Sequence, residues 1–170
     1  MIVRPERPDD EVRARAIVVA AFDRRDGREP PEARLLDELR ACDGWIPALS
    51  LVAVIDDQIV GHAVCTRGFV ATLACLGLGP IAVAPTAQRS GIGSALMHTM
   101  LGTATGMGEP LVALLGSPDY YSRFGFRPSL ESGIEPPDPT WGDDFQVRML
   151  NESGERATGV FEYSAPFNTL

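Results

Sequence analysis

The chain opens on Ile2-Val3-Arg4, a short alternating segment that predicts a strand, and then changes period. Val12, Ala16, Val19 and Ala20 recur at i, i+4, i+7 and i+8, the spacing of one helix face, with Asp9 or Asp10 placed to cap it. A second helix follows Pro31, with Leu35, Leu36 and Leu39 as its apolar face and Gly44 placed to end it. Leu49 to Ile55 and Gln58 to Arg67 then predict two strands, and the short acidic pair Asp56-Asp57 between them suits a tight hairpin. A third apolar run, Val70 to Val83, is broken by Gly77, Gly79 and Pro80. Pro80 has no N–H to give to a ladder, which marks a bulge or an edge. Gly91 to Leu101 returns to helical spacing through Ile92, Ala95, Leu96 and Met100, with Gly106 and Gly108 as stops. Leu111 to Leu115, Phe145 to Leu150 and Gly159 to Tyr163 predict further strands, with a short helix at Tyr120 to Phe124. The alternation of strands and helices predicts an α/β or α+β layered fold.

Composition narrows the function. At 170 residues, with no internal repeat, the chain predicts one domain over 1–170. No stretch approaches the ~18 apolar residues of a membrane span, and the first residues carry no secretory signal, so no membrane partner and a cytoplasmic location are expected. All 15 basic residues are Arg. Without lysine a Walker A loop, a kinase strand lysine and a Schiff base are excluded. Cys42, Cys65 and Cys75 form neither an even disulfide set nor a zinc pattern, and no metal is expected. The net charge of −8 sits in the two flanks, because residues 58–118 hold only Arg67, Arg89 and Glu109. That middle segment predicts buried sheet with a helix packed on it, and the acidic flanks argue against nucleic acid as a partner.

The segment Val83 to Leu96 is a strand that turns through glycines into a helix, the local design of an anion cradle at a helix N-terminus. A Rossmann loop starting at Gly91 requires Gly or Ala at position 96, and Leu96 stands there. Taken alone, the loop reads more readily as two glycines that merely let the helix pack on the sheet. Gln88-x-x-Gly91-x-Gly93, directly after a Val-x-Pro strand end, resembles the Q/R-x-x-G-x-G/A signature of the GCN5-related N-acetyltransferases. Tyr120-Tyr121-Ser122-Arg123-Phe124-Gly125-Phe126 resembles the later Tyr-x-x-Phe/Leu-Gly-Phe segment of the same family. The resemblance runs from Val3 to Phe126, is nearest the YhbS-like subgroup, and fades after about Glu131.

The resemblance implies a mixed, mostly antiparallel central sheet flanked by helices and splayed between two central strands. It implies acetyl-CoA as cosubstrate, with the pantetheine arm along Leu78 to Val83, including Ile81, Ala82 and Val83. The pyrophosphate is expected on the loop of Gln88, Arg89, Ser90, Gly91, Ile92, Gly93 and Ser94. It also implies an amine acceptor, small molecule or peptide, attacked directly without a covalent acyl-enzyme, and a homodimer. Tyr121, four residues before Gly125, is the implied proton donor to the departing thiolate, with Tyr120 or water as alternatives; an ordinary phenol, pKa ~10, is close enough to a thiol, ~8.5, for that task. Many relatives carry a Glu on the strand before the loop, whereas residues 68–88 here have no charged side chain. Glu32, Asp37, His62, Asp119 or water remain as base, and His98 is expected on the surface. The missing carboxylate keeps a non-catalytic acyl-CoA or partner-binding module open, beside transfer of another acyl group or to a hydroxyl.

Overall fold

The computed structural model describes residues 1–151, 154 and 156–169. In chain order its elements are β1 (Ile2–Pro5), α1 (Glu11–Ala21), α2 (Pro31–Arg40), β2 (Trp45–Ile55), β3 (Gln58–Val70), β4 (Leu73–Val83) and α3 (Ile92–Gly106). They continue as β5 (Leu111–Leu115), α4 (Pro118–Tyr121), β6 (Arg127–Pro128), β7 (Ile134–Glu135), β8 (Phe145–Met149) and β9 (Gly159–Glu162). A 3-10 turn, Ser122–Phe124, extends α4, and another, Ala165–Thr169, follows β9.

The strands form one sheet in the order β1-β2-β3-β4-β5-β8-β6, with β9 joining β3 and β7 joining β9. Among the described residues, only β4 with β5 and β7 with β9 run parallel. The helices cover both faces. Ile92, Leu96, Met97 and Met100 of α3 pack with Leu51, Ala63 and Leu76 on one face, while Val18 of α1 and Leu35, Leu36 and Leu39 of α2 pack with Val64 and Ala82 on the other. This is the mixed, mostly antiparallel sheet flanked by helices that the sequence implied.

The hairpin forms where Asp56-Asp57 predicted it; both residues have positive φ, 47° and 59°, as a tight two-residue turn requires. Three local expectations fail. In α1 the buried positions are Ala14 and Val18, while Val12 is 81% exposed and Ala16 and Ala20 also face outward. The helix carries two apolar stripes of the same period, which periodicity cannot rank, and the sheet takes the one formed by Ala14 and Val18, with Ile17 partly buried beside them. Asp10 stands at the N-cap, but its carboxylate turns back to the Arg7 N–H at 2.8 Å and to Arg4 at 2.5 and 3.0 Å. Gly44 does not end α2, which stops at Arg40 with Ala41 as its C-cap. A Cβ on Gly44 would lie 3.0 Å from Ser164 Cβ, so its smallness serves the chain that follows β9.

The interruption in β4 positions the site. Ala63 pairs with Ile81 and Cys65 with Leu78, so Gly79 and Pro80 together oppose Val64 in a bulge. Pairing of β4 with β5 covers only Leu76 with Val112 and Gly77 with Ala113. From Leu78 onward β4 keeps β3 on one edge and has no strand on the other, which is the splay. The uncharged middle of the sequence becomes β3, β4, α3 and β5. Its Arg67 and Glu109 neutralise each other in a two-pronged pair at 2.7 and 2.8 Å, leaving Arg89 as the segment's charge on the loop. Breaking a buried pair strands a desolvated charge; because Arg67 retains partial exposure, Glu109→Gln is expected to cost about 2 kcal/mol and lower Tm by about 4–8 °C in thermal unfolding.

Candidate active site

Beyond β4, Pro85–Ala87 turns once as a 3-10 helix before the loop enters α3. Arg89 and Gly91 adopt positive φ, 60° and 87°, which folds the loop into a concave run of backbone ahead of the helix. The first α-helical bond across the start, Ala95 N–H to Gly91 O at 3.0 Å, leaves the amides of residues 92–94 without helical partners. Gln88 clamps the loop to the strand end by donating from Nε2 to Val83 O at 3.2 Å. A Cβ on Gly93 would lie 2.7 Å from Tyr120 Oη, so glycine lets the first turn of α3 lie against the tyrosine.

A cavity of about 720 Å³ opens here, lined by Ile81, Ala82 and Val83 of β4 and by Gln88, Arg89, Gly91, Gly93 and Ser94. Ser90 and Ile92, expected with them, do not line it by their side chains. Ser90 Oγ donates back to Ala87 O at 2.6 Å, and Ile92 is buried in the core. Tyr120, Tyr121 and Arg123 complete the wall. Arg123 lies 4.9 Å from the Tyr120 ring centroid and donates to Asp119 O at 3.2 Å. The sequence motif assigns Arg123 no role; its place between Tyr121-Ser122 and Phe124-Gly125 is the signal that could have found it. Two arginines and no carboxylate line this cavity, in a chain of net charge −8. Such a wall favours an anion.

A second cavity, about 730 Å³, lies along Leu78, Gly79, Pro80 and Ile81 and reaches Glu32, Trp141, Tyr163 and Phe167. Its charged lining is Glu32 and Glu162, with no arginine. Ile81, Phe22 and Tyr121 belong to both cavities, so Tyr121 stands at their junction. A Cβ on Gly116 would lie 2.3 Å from Tyr121 Cε2, so that glycine makes room for the ring. Burial, with Tyr120 adding to it, pushes the Tyr121 phenol up to about 12. The side chain therefore keeps its proton at neutral pH.

The candidate bases separate clearly. His62 is fully buried beneath α1 and α2, its Nε2 3.1 Å from Ser50 Oγ and 3.4 Å from Glu6 Oε2, and it lines neither cavity. Asp37 is bound to Arg15 at 2.7 Å, and Asp119 is exposed in the first turn of α4. Glu32, in the first turn of α2, is the candidate that reaches a cavity shared with Tyr121. His98 is exposed as expected, its ring against Phe124 at 5.3 Å. No group of metal-ligating side chains occurs among the described residues, and none of their helices is long and apolar enough to cross a membrane.

The His62 network carries a stability prediction. Burial raises the Glu6 carboxyl, but His62, Ser50 and Arg40 outweigh burial and hold it down at about 2. A depressed folded pKa stabilises above the unfolded value of ~4.3, and that stabilisation is lost as pH falls toward 2. Glu6→Gln is expected to remove about 3 kcal/mol at pH 7 and to flatten the loss of stability between pH 5 and 2 in denaturant titrations.

Comparison with known proteins agrees with this geometry. Residues 3–129 match the profile described as Acetyltransferase (GNAT) domain. The chain is 31% identical over 172 residues to the uncharacterized N-acetyltransferase YhbS of Escherichia coli K12, covering 99% of each. The crystal structure of YhbS from Escherichia coli in complex with CoA superposes with a TM-score of 0.85 at 30% identity, covering 98% of this chain and 91% of that one. A GNAT family acetyltransferase from Brucella melitensis, in complex with acetyl-CoA, gives 0.79 at 31% identity, covering 98% of this chain and 97% of that one. With the signature loop, the splayed strand and these matches together, the chain belongs to the GNAT family of acetyltransferases.

Proposed function

We propose that this chain transfers the acetyl group of acetyl-CoA to a primary amine by direct attack, with Tyr121 protonating the departing sulfur. The observation that carries this reading is the meeting of two cavities of opposite lining charge at Tyr121 and Ile81, where β4 has parted from β5. The arginine-lined side, with its free helix amides, suits a pyrophosphate; the unpaired edge of Leu78 to Val83 offers backbone groups to an amide-bearing pantetheine arm. The relatives crystallised with CoA and acetyl-CoA support the same assignment.

In this reading the amine arrives as an ammonium and loses one proton to water or Glu32. Its lone pair forms the N–C bond, the C–S bond breaks, and the Tyr121 O–H gives its proton to the sulfur. The second nitrogen proton restores the phenol through water, so the balance is acetyl-CoA plus ammonium giving amide, CoA thiol and one proton. A phenol near 12 is a matched donor only if the thiolate is equally basic. Burial raises this protein's own Cys75 thiol to about 12, and a thiolate formed beside the buried Tyr121 ring is raised in the same direction.

Glu32 lines the same cavity as Tyr121 and offers a carboxylate where β4 has none, which favours an enzyme over a non-catalytic binding module. The test is release of free thiol from acetyl-CoA by purified protein, with and without a panel of primary amines and alcohols. Release that requires an amine is the expected result. Saturable acetyl-CoA binding without turnover on any acceptor would support the binding module instead, and release driven by alcohols alone would reassign the acceptor.

A further inference from the structure

The acceptor side of the junction has a chemical character of its own. Phe22, Trp141, Tyr163 and Phe167 present aromatic surface to it, and the Tyr163 and Phe167 rings stack at 4.3 Å between centroids. Against this apolar wall the charged groups are Glu32, on α2, and Glu162, at the end of β9. Glu32 Oε1 lies 3.7 Å from Arg24, whose side chain is largely in solvent and does not line the cavity. Glu32 Oε2 is buried with no hydrogen-bond partner among the described residues. Glu32 itself lines the cavity and its ion pair with Arg24 is long, so its negative charge is available to an ammonium brought there.

The same lining selects against other amines. An amino acid would bring a carboxylate to a wall that has two acids and no arginine or histidine. A polyamine or an aminoglycoside would bury several cations or hydroxyls against aromatic rings with few polar partners. A single ammonium on a flat apolar body satisfies both halves, the cation on Glu32 and the ring among Trp141, Tyr163 and Phe167.

We propose that the cavity bounded by Glu32 and these aromatic rings is the acceptor site and takes an arylalkylamine, a primary amine on an aromatic body without a carboxylate, whose ammonium is held by Glu32. This deepens the acetyl-transfer reading and rests on it. The experiment measures acetyl-CoA binding by calorimetry and acetylation of 2-phenylethylamine, phenylalanine and spermidine by mass spectrometry, for the wild type and for Glu32→Gln and Phe167→Ala. The expected result is kcat/KM for 2-phenylethylamine at least about 10-fold above the other two. Glu32→Gln should raise its KM about 10-fold or more with acetyl-CoA affinity and thermal stability unchanged, and Phe167→Ala should narrow the preference for the aromatic amine. Equal or better use of phenylalanine or spermidine, an unchanged KM in Glu32→Gln, or no acetylation of 2-phenylethylamine by protein that binds acetyl-CoA overturns the acceptor assignment. Failure to bind acetyl-CoA would instead overturn the reading beneath it.

Discussion

Tyr121→Phe is expected to lower kcat by about 10²–10⁴-fold while acetyl-CoA affinity stays within about twofold, as for loss of a general acid that does not carry binding. The substitution deletes one oxygen from a ring whose position is already fixed. Tyr121 packs edge-on to Tyr120 at 4.9 Å and to Phe126 at 6.0 Å between centroids, and Gly116 leaves it room. Phe keeps those contacts, so the loss reports the hydroxyl. Gly116→Ala gives an independent check, because its Cβ would fall 2.3 Å from the ring and must displace it. A smaller fall in kcat with the Tyr121 hydroxyl still present is the expected outcome there. Unchanged turnover in Tyr121→Phe would pass the proton to Tyr120 or to water. Equilibrium dialysis of acetyl-CoA beside steady-state rates separates the two effects.

The second large effect concerns the loop. In a Gly91→Glu, Gly93→Glu double variant two carboxylates enter a cavity whose charge otherwise comes from Arg89 and Arg123. Gly91 also loses a positive φ that glycine adopts freely, and the side chain at 93 presses on Tyr120. The variant alone is expected to unfold a few degrees lower. The decisive quantity is the further shift on adding acetyl-CoA. At a hundredfold excess over Kd the wild type gains about 2.7 kcal/mol, roughly 5–10 °C in Tm for a chain of this size, and the variant gains nothing. A retained ligand shift would place the pyrophosphate elsewhere.

Much of this site is legible in the sequence because its parts are local. Gln88-x-x-Gly91-x-Gly93 is a turn, and its glycines, its helix start and its anion-cradle character are set within a few residues. Gly79-Pro80 declares a bulge for the same reason: a residue without an N–H cannot sit in an uninterrupted ladder. The acceptor cavity is different. Glu32 reaches it from α2, Trp141 from the turn before β8, and Phe167 from beyond β9, and no spacing in the chain announces that these meet. Short strands such as β6 and β7, two residues each, exist only because β8 and β9 pair with them, so their sequences carry no period of their own. The mistaken face of α1 has a similar origin, since the choice between two equal stripes is made by the sheet beneath it.

Calorimetric titration of acetyl-CoA into the wild-type protein is the most direct test. Saturable binding at one site per chain is expected, weakened as salt rises because Arg89, Arg123 and the loop amides would meet a charged pyrophosphate. Absence of binding would contradict the acetyl-transfer reading and leave Gln88 to Ser94 as a loop whose glycines serve only to pack α3 on the sheet.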